Sequence, residues 1–296
     1  AVAWSQAQCH NNSIMMKKLK WISLLFLCAV SAQAEEEKQA TFAPKFYAFQ
    51  NGVSFGSDAK NAATLRELGY DGVSQVYKEG NLKEQIAAYD KVGSKVLSIY
   101  LNVTDKPIDA KVVELLANRD ALIELTVGKI TPKLVEAVRQ TTEMANKLNI
   151  RVALYPHVGN GVETMPQAMD LIAKVDHPNL GVMFNLCHFL KSEKAEDMEK
   201  VIKAAGDRLF AVSTNGADAA GKGWNELIQP LDKGDFSQVR LLKALKKAKF
   251  KGPVGLQCYA VKGDKRTNLK NSISAWRKAL EQLADEPFKG AATEGR

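Results

Sequence analysis

From Lys45 onward the sequence alternates short apolar runs with amphipathic helical stretches, and it does so eight times. The runs KFYAFQ (45–50), DGVSQVY (71–77), KVLSIYLNV (95–103) and ALIELTV (121–127) have the length and composition of strands. So do RVALYPH (151–157), LGVMFNLCH (180–188), LFAVSTN (209–215) and PVGLQCYA (253–260). Behind each comes a helical pattern, over 57–69, 81–93, 109–119, 131–149, 164–175, 195–206, 236–248 and 268–284. Thr131 and Pro132 open the fourth as a cap and a first-turn proline. Eight strand–helix units within residues 45–285 predict one α/β domain, a single (β/α)8 barrel, which typically needs about 250 residues. A doubly wound sheet alternates in the same way, but the count of eight and the lack of a glycine-rich loop after the first strand favour the barrel.

In a closed barrel, one side-chain parity of each strand packs against helices and the other faces the axis. Leu97, Ile99 and Leu101, Val182, Phe184 and Leu186, Phe210 and Val212, and Val254 and Leu256 read as the outward set. The opposite parity begins small or apolar and ends polar: Ala153-Tyr155-His157, Gly181-Met183-Asn185, Ala211-Ser213-Asn215 and Gly255-Gln257-Tyr259. Ser98-Tyr100-Asn102 and Leu122-Glu124-Thr126 follow suit. Strands that all turn polar at their carboxyl ends describe one pocket, at the end where barrels of this kind carry their sites.

Residues 1–14 read as upstream or artificial sequence. Residues 15–34 carry a basic start, a short apolar core and Ala32-Gln33-Ala34, the order of a secretory signal peptide. The apolar core is too short for a comfortable span. The expected organisation is a linker at 35–44, the barrel at 45–285 and a flexible tail at 286–296. The product is exported, periplasmic or secreted, with no stable membrane anchor after cleavage. A formal charge of +8 spread over the chain is too mild and scattered for a nucleic-acid partner. After cleavage only Cys187 and Cys258 remain, so there is no disulfide framework.

Two segments, RVALYPHVGNGVETMPQAMDLIAKVDHPNLGVMFNLCHFL (151–190) and PLDKGDFSQVRLLKALKKAKFKGPVGLQCYA (230–260), resemble the xylose isomerase-like TIM-barrel superfamily, the sugar phosphate isomerase/epimerase group. The resemblance implies a divalent metal held by two Glu, one Asp and one His at the ends of strands five to eight. In this sequence those positions fall on Tyr155, Asn185, Gln257 and on or near Ser213. His188 matches a histidine that contacts substrate in the family. Neutral oxygens suit a hard dication poorly, and Asn and Gln cannot act as general bases. The expected site therefore has no cofactor and no metal, a divalent ion being the alternative.

His157, His188 and Glu124 are the candidate acid–base groups, since an imidazole near pKa 6.5 can take or give a proton at neutral pH. Glu124 reads equally as a salt-bridged structural carboxylate. Tyr155, Asn185, Ser213, Asn215, Gln257, Tyr259, Tyr100 and Asn102 are the candidate substrate contacts. Trp224, in the loop 216–231, joins them as a face on which a sugar ring could stack. Glu163 and His177 read as loop caps, Cys258 as core, and Cys187 with the two histidines as a weak zinc alternative. The partner expected is a small carbohydrate, with a keto-sugar in reach; the oligomeric state is not legible. Two functional readings follow: an exported sugar isomerase or epimerase (or keto-sugar lyase or hydratase), and a non-catalytic sugar-binding relative. A DNA-repair endonuclease on the same barrel is disfavoured by the missing metal cluster. N-terminal sequencing of protein secreted by its native host is expected to begin at Glu35; retention of Trp21 would make the segment an anchor instead.

Overall fold

A computed structural model describes residues 42–78 and 81–285. The segments expected to be upstream sequence (1–14), a signal peptide (15–34), part of a linker (35–41) and a tail (286–296) lie outside the described residues. Among the described residues ten strand segments form one parallel sheet: β1 (Phe46–Phe49), β2 (Gly72–Ser74), β3 (Val76–Tyr77), β4 (Lys95–Val96), β5 (Ser98–Val103), β6 (Leu122–Val127), β7 (Arg151–Leu154), β8 (Leu180–Asn185), β9 (Leu209–Thr214) and β10 (Val254–Leu256). Only Gln75 separates β2 from β3, and only Leu97 separates β4 from β5, so these are two strands each interrupted by one residue. β2 pairs with β4 and β3 with β5, and β1 pairs with both β2 and β10. Eight strands thus close on themselves as a (β/α)8 barrel.

The helices are α1 (Asp58–Leu68), α2 (Leu82–Lys91), α3 (Pro132–Lys147), α4 (Met165–Val175), α5 (Leu186–Ser192), α6 (Met198–Ala205), α7 (Trp224–Leu227), α8 (Gln238–Lys247) and α9 (Lys265–Asp285). Local chemistry starts them where the sequence implies. Thr131 Oγ1 accepts from the Leu134 N–H ahead of Pro132, and Thr164 with Gln167 forms a reciprocal capping box. The third unit departs from expectation. Residues 109–119 make two 3-10 turns, Ala110–Val112 and Glu114–Leu116, in place of a helix. The Asp109 carboxylate closes the first turn on the Lys111 N–H, and the β-branched pair Val112–Val113 disfavours propagation.

The helix-facing parity holds for most strands: Val182, Phe184, Val212, Val254, Ile99 and Leu101 are buried between sheet and helices. Two outward assignments are corrected. Leu97 and Phe210 belong to the barrel interior, with Tyr47, Phe49, Leu122 and Met183. Leu97 is the residue at which its strand is interrupted. Phe210 is the extra residue of a bulge, because Val182 pairs with Leu209 and Met183 with Ala211. The inward ring needs space, and Gly181 supplies it: a Cβ there would stand 2.6 Å from the Phe210 ring. Gly255 does the same for the Phe49 ring.

Several strands also stop earlier than their apolar runs. Pro156 has no N–H for the ladder, so β7 ends at Leu154. β8 passes at Asn185 directly into α5, which places Cys187 and His188 on a helix, not a strand. Cys258, expected in the core, is half-buried against Gly52. Gly181→Ala should cost about 1–3 kcal/mol through overpacking, read as a lowered urea midpoint with an unchanged m-value. An unchanged midpoint would mean the barrel floor is loosely filled.

Candidate functional site

Beyond the carboxyl ends of the strands lies a cavity of about 470 Å³. Its floor is Tyr155, 2% exposed, with the Tyr100 ring edge-on at 5.5 Å. Gln257 donates from Nε2 to the Tyr155 hydroxyl at 3.3 Å, and Asn51 donates from Nδ2 to Gln257 Oε1 at 2.6 Å. The same Gln257 oxygen accepts the N–H groups of Cys258 and Tyr259, so the side chain replaces the ladder that ends at Leu256. Tyr77, Ile228, Trp224 and Tyr259 complete the mouth. A larger groove of about 600 Å³ runs over the outside, along α6, α8 and α9, away from the strand ends; its Arg240 and Glu199 already pair with each other.

Gln75 enters the cavity because its backbone is left-handed, at φ 53°. Its N–H donates to Ser98 Oγ at 2.7 Å, and its side-chain amide donates to Glu124 Oε2 at 3.1 Å. Ser98 Oγ in turn donates to Glu124 Oε1 at 2.5 Å. Glu124 is 1% exposed and sits beneath Gln75, not on the cavity wall. Burial pushes its carboxyl up to about 7, against the two hydrogen bonds that lower it. Burial likewise raises the phenols of Tyr77, Tyr100 and Tyr155, so all three stay protonated at neutral pH.

His157 and His188 face each other in this cavity with ring centres 3.9 Å apart. One residue orients both. The Val158 N–H donates to His188 Nδ1 at 3.2 Å, while the Val158 carbonyl lies 2.8 Å from His157 Nδ1. A carbonyl only accepts and an N–H only donates. His157 therefore carries its proton on Nδ1 and keeps a lone pair on Nε2. His188 is the opposite tautomer, with Nε2–H as a donor. Burial lowers both pKa values; for His188, with His157 adding to it, the value falls to about 3. Trp224 stands edge-on to His188 at 5.1 Å, with the Lys191 ammonium over its own ring. The loop 216–231 thus does lie over the mouth.

Tyr155, His157, His188, Gln257, Tyr259, Tyr100 and Trp224 all line the cavity. Asn185, Ser213, Asn215 and Asn102 do not. Asn185 lies behind the wall at 2% exposure; its Oδ1 accepts from Ser213 Oγ and Cys187 Sγ, and its Nδ2 finds no acceptor. Asn215 donates to the carbonyls of Gly216 and Leu227, anchoring the Trp224 loop from below. Asn102 accepts from Thr126 at the exposed strand end. Glu163 and His177 are loop caps, holding the N–H groups of Gly159 and Asn179. Sequence reasoning missed Asn51, Gln75 and Tyr77. The rule applied to the later strands, polar residues at the carboxyl end, was available for strands one and two as well.

The donors at Tyr155, Asn185, Ser213 and Gln257, where the resemblance implies metal ligands, are neutral throughout. The oxygens of Asn185 and Gln257 are already taken by protein donors, and among the described residues no group of three His, Cys, Asp or Glu could hold a metal ion. These residues do not fit a hard dication.

The chain belongs to the xylose isomerase-like TIM barrel family, whose model matches residues 108–285. Among solved structures it is similar to an L-ribulose 3-epimerase, at TM-score 0.68 and 12% identity, covering 86% of this chain and 100% of that one. It is also similar to 3-keto-D-glucoside 4-epimerase from E. coli, at TM-score 0.64 and 15% identity, covering 80% and 100%. D-allulose 3-epimerase from Methylomonas sp. in complex with D-allulose gives TM-score 0.61 and 17% identity, covering 81% and 96%. At these identities the likeness is one of fold. No curated protein sequence matches the chain.

Two measurements follow. Nitrogen-15 NMR should find His157 as the Nδ1–H tautomer and His188 as Nε2–H at pH 7; two identical tautomers would break the Val158 arrangement. The buried titratable groups pull stability in opposite senses. Glu124 holds its proton more tightly when folded, so its contribution is full below 4.5 and is lost as pH rises through about 7. His188 is neutral in the fold down to about 3, so its contribution is lost as pH falls below 6.5. Glu124→Gln should therefore stabilise the protein more at pH 8 than at pH 5, by on the order of 2–3 kcal/mol, in chemical denaturation at the two pH values. Equal effects at both would mean that Glu124 titrates normally.

Proposed function

We propose that this protein acts on a carbohydrate at the C-terminal mouth of the barrel, by acid–base chemistry beside a carbonyl and without the family's usual divalent metal. The observation that carries the reading is the imidazole pair of opposite tautomers above a neutral polar floor. The His157 Nε2 lone pair takes a proton from the carbon next to a sugar carbonyl. The His188 Nε2–H donates to the carbonyl oxygen as charge develops there, in a site whose burial strengthens that bond. His188 gives its Nε2 proton to the carbonyl oxygen, forming the enediol, and takes one back from the neighbouring hydroxyl as that oxygen becomes the new carbonyl. The proton held by His157 goes to the former carbonyl carbon, which completes an isomerisation. The epimerases among the structural relatives, one of them solved with D-allulose, support a sugar as ligand. The chemistry of the donor set supports the metal-free form.

Glu124 is shut behind Gln75, and among the described residues no carboxylate lines the cavity. That feature favours the second reading, a sugar-binding protein without turnover.

The test is deuterium exchange into ketoses in D2O, followed by proton NMR. Exchange beside the carbonyl is expected, level from pH 7 upward and falling only below the ordinary imidazole value of 6.5, because burial depresses His157. His157→Ala should lower it about 10²–10⁴-fold while keeping the melting temperature. A chelator should change neither. One tightly held Mn²⁺ or Mg²⁺ per chain would overturn the metal-free assignment. Sugar-induced thermal stabilisation without exchange would leave the binding reading in place of the enzyme.

A further inference from the structure

Resting on the carbohydrate reading above, we infer that the mouth takes an uncharged sugar of more than one ring, a neutral disaccharide or glycoside, with its outer ring on the exposed faces of Trp224 and Tyr259. Three observations converge on this. The first is charge. Among the described residues the cavity lining has no Lys, Arg, Asp or Glu; burial holds the Tyr77, Tyr100 and Tyr155 phenols protonated and the two imidazoles neutral. A phosphate or carboxylate entering it would be desolvated against neutral groups, which is costly; the Lys191 ammonium stands at the rim over the Trp224 ring and donates to the Lys222 carbonyl. Hydroxyl groups, which donate and accept, match amides and phenols that do the same.

The second is size. The cavity of about 470 Å³ equals the liquid volume of roughly 16 waters, against the twelve heavy atoms of one hexose, so a second ring begins inside and extends to the mouth. A single hexose ring does not fill it.

The third is the pair of aromatics at the rim. Among the described residues the exposed large hydrophobics are Leu115, Trp224 and Tyr259, and the last two border the same cavity. Tyr259 is 62% exposed and Trp224 41%. Neither sits on loose chain. The Tyr259 N–H is bound by the Gln257 side chain at 2.9 Å. The helix that starts at Trp224 is capped by Glu226, whose carboxylate accepts the N–H groups of Lys222 and Gly223. An exposed aromatic ring is poorly hydrated, and the Lys191 ammonium over the Trp224 ring meets only one of its two faces. Against the C–H face of a sugar, its electron-rich face finds a partner, at little entropic cost because the ring is already placed.

The experiment is calorimetry on the mature full chain with maltose, cellobiose and lactose, each against its monosaccharides, and with glucose 6-phosphate against glucose. At least one disaccharide is expected to bind about tenfold tighter than its monosaccharides, and glucose 6-phosphate no tighter than glucose. The disaccharide-to-monosaccharide ratio should fall toward one in Tyr259→Ala or Trp224→Ala and be kept in Tyr259→Phe, with melting temperatures confirming that the variants fold. Disaccharides binding no tighter than monosaccharides, a preference for the phosphate, or a ratio unmoved in both alanine variants would each overturn the inference. In those cases, monosaccharide binding together with His157-dependent exchange would leave the carbohydrate reading standing. Loss of binding to every sugar tested would sink both.

Discussion

The hydrogen-bonded seam between β1 and β10, Phe46 to Val254 through Ala48 to Leu256, is the constraint on which the rest of the molecule depends. It removes the sheet's edges and forces half of the strand side chains onto an axis with little room and little water. Inside the barrel that space is filled by rings. Tyr47, Phe49 and Phe210 fit there because Gly181 and Gly255 carry no side chain. At the carboxyl-terminal end the rings give way to amides, phenols and imidazoles, and the same confinement turns them into a cavity wall.

Confinement also explains why that wall is neutral. A buried polar group must find a partner within the protein, and a group that both donates and accepts finds one more easily than a carboxylate that only accepts. Asn51, Gln257 and Tyr155 satisfy one another in sequence. The single carboxylate on the inward parity, Glu124, is retained only with Ser98 and Gln75 turned onto it. The two histidines are held apart in chemistry, not in space, by the two ends of one peptide residue, Val158. A site assembled in this way suits hydroxyl-rich, uncharged ligands and chemistry in which a proton moves between neutral groups.

Much of the fold was legible because its signals are local. The alternation of apolar runs with helical periods counts the eight units, and Thr131-Pro132 and Thr164 mark helix starts through bonds spanning three residues. Where a non-local effect intervened, the pattern misled. Phe210 alternates as an outward residue until the bulge against β8 turns it inward. Residues 109–119 have helical spacing, yet the Asp109 carboxylate closes a shorter turn. His188 continues an apolar run but stands on α5, where the helix and not the pleat aims it.

By itself, then, the sequence determined the barrel, the end at which its site lies and the residue types found there, because period and parity are properties of the chain over a few residues. It named both histidines and Tyr155, Gln257, Trp224 and Tyr259 on that basis. Only the tertiary structure decided which polar atoms meet. Asn51 reaches Gln257 across 206 residues, Gln75 reaches Glu124 across 49, and Val158 reaches His188 across 30. Such pairs are set by strand register and barrel closure, to which no local pattern is sensitive, and they separate the residues that line the cavity from Asn185, Ser213 and Asn215, which lie behind it.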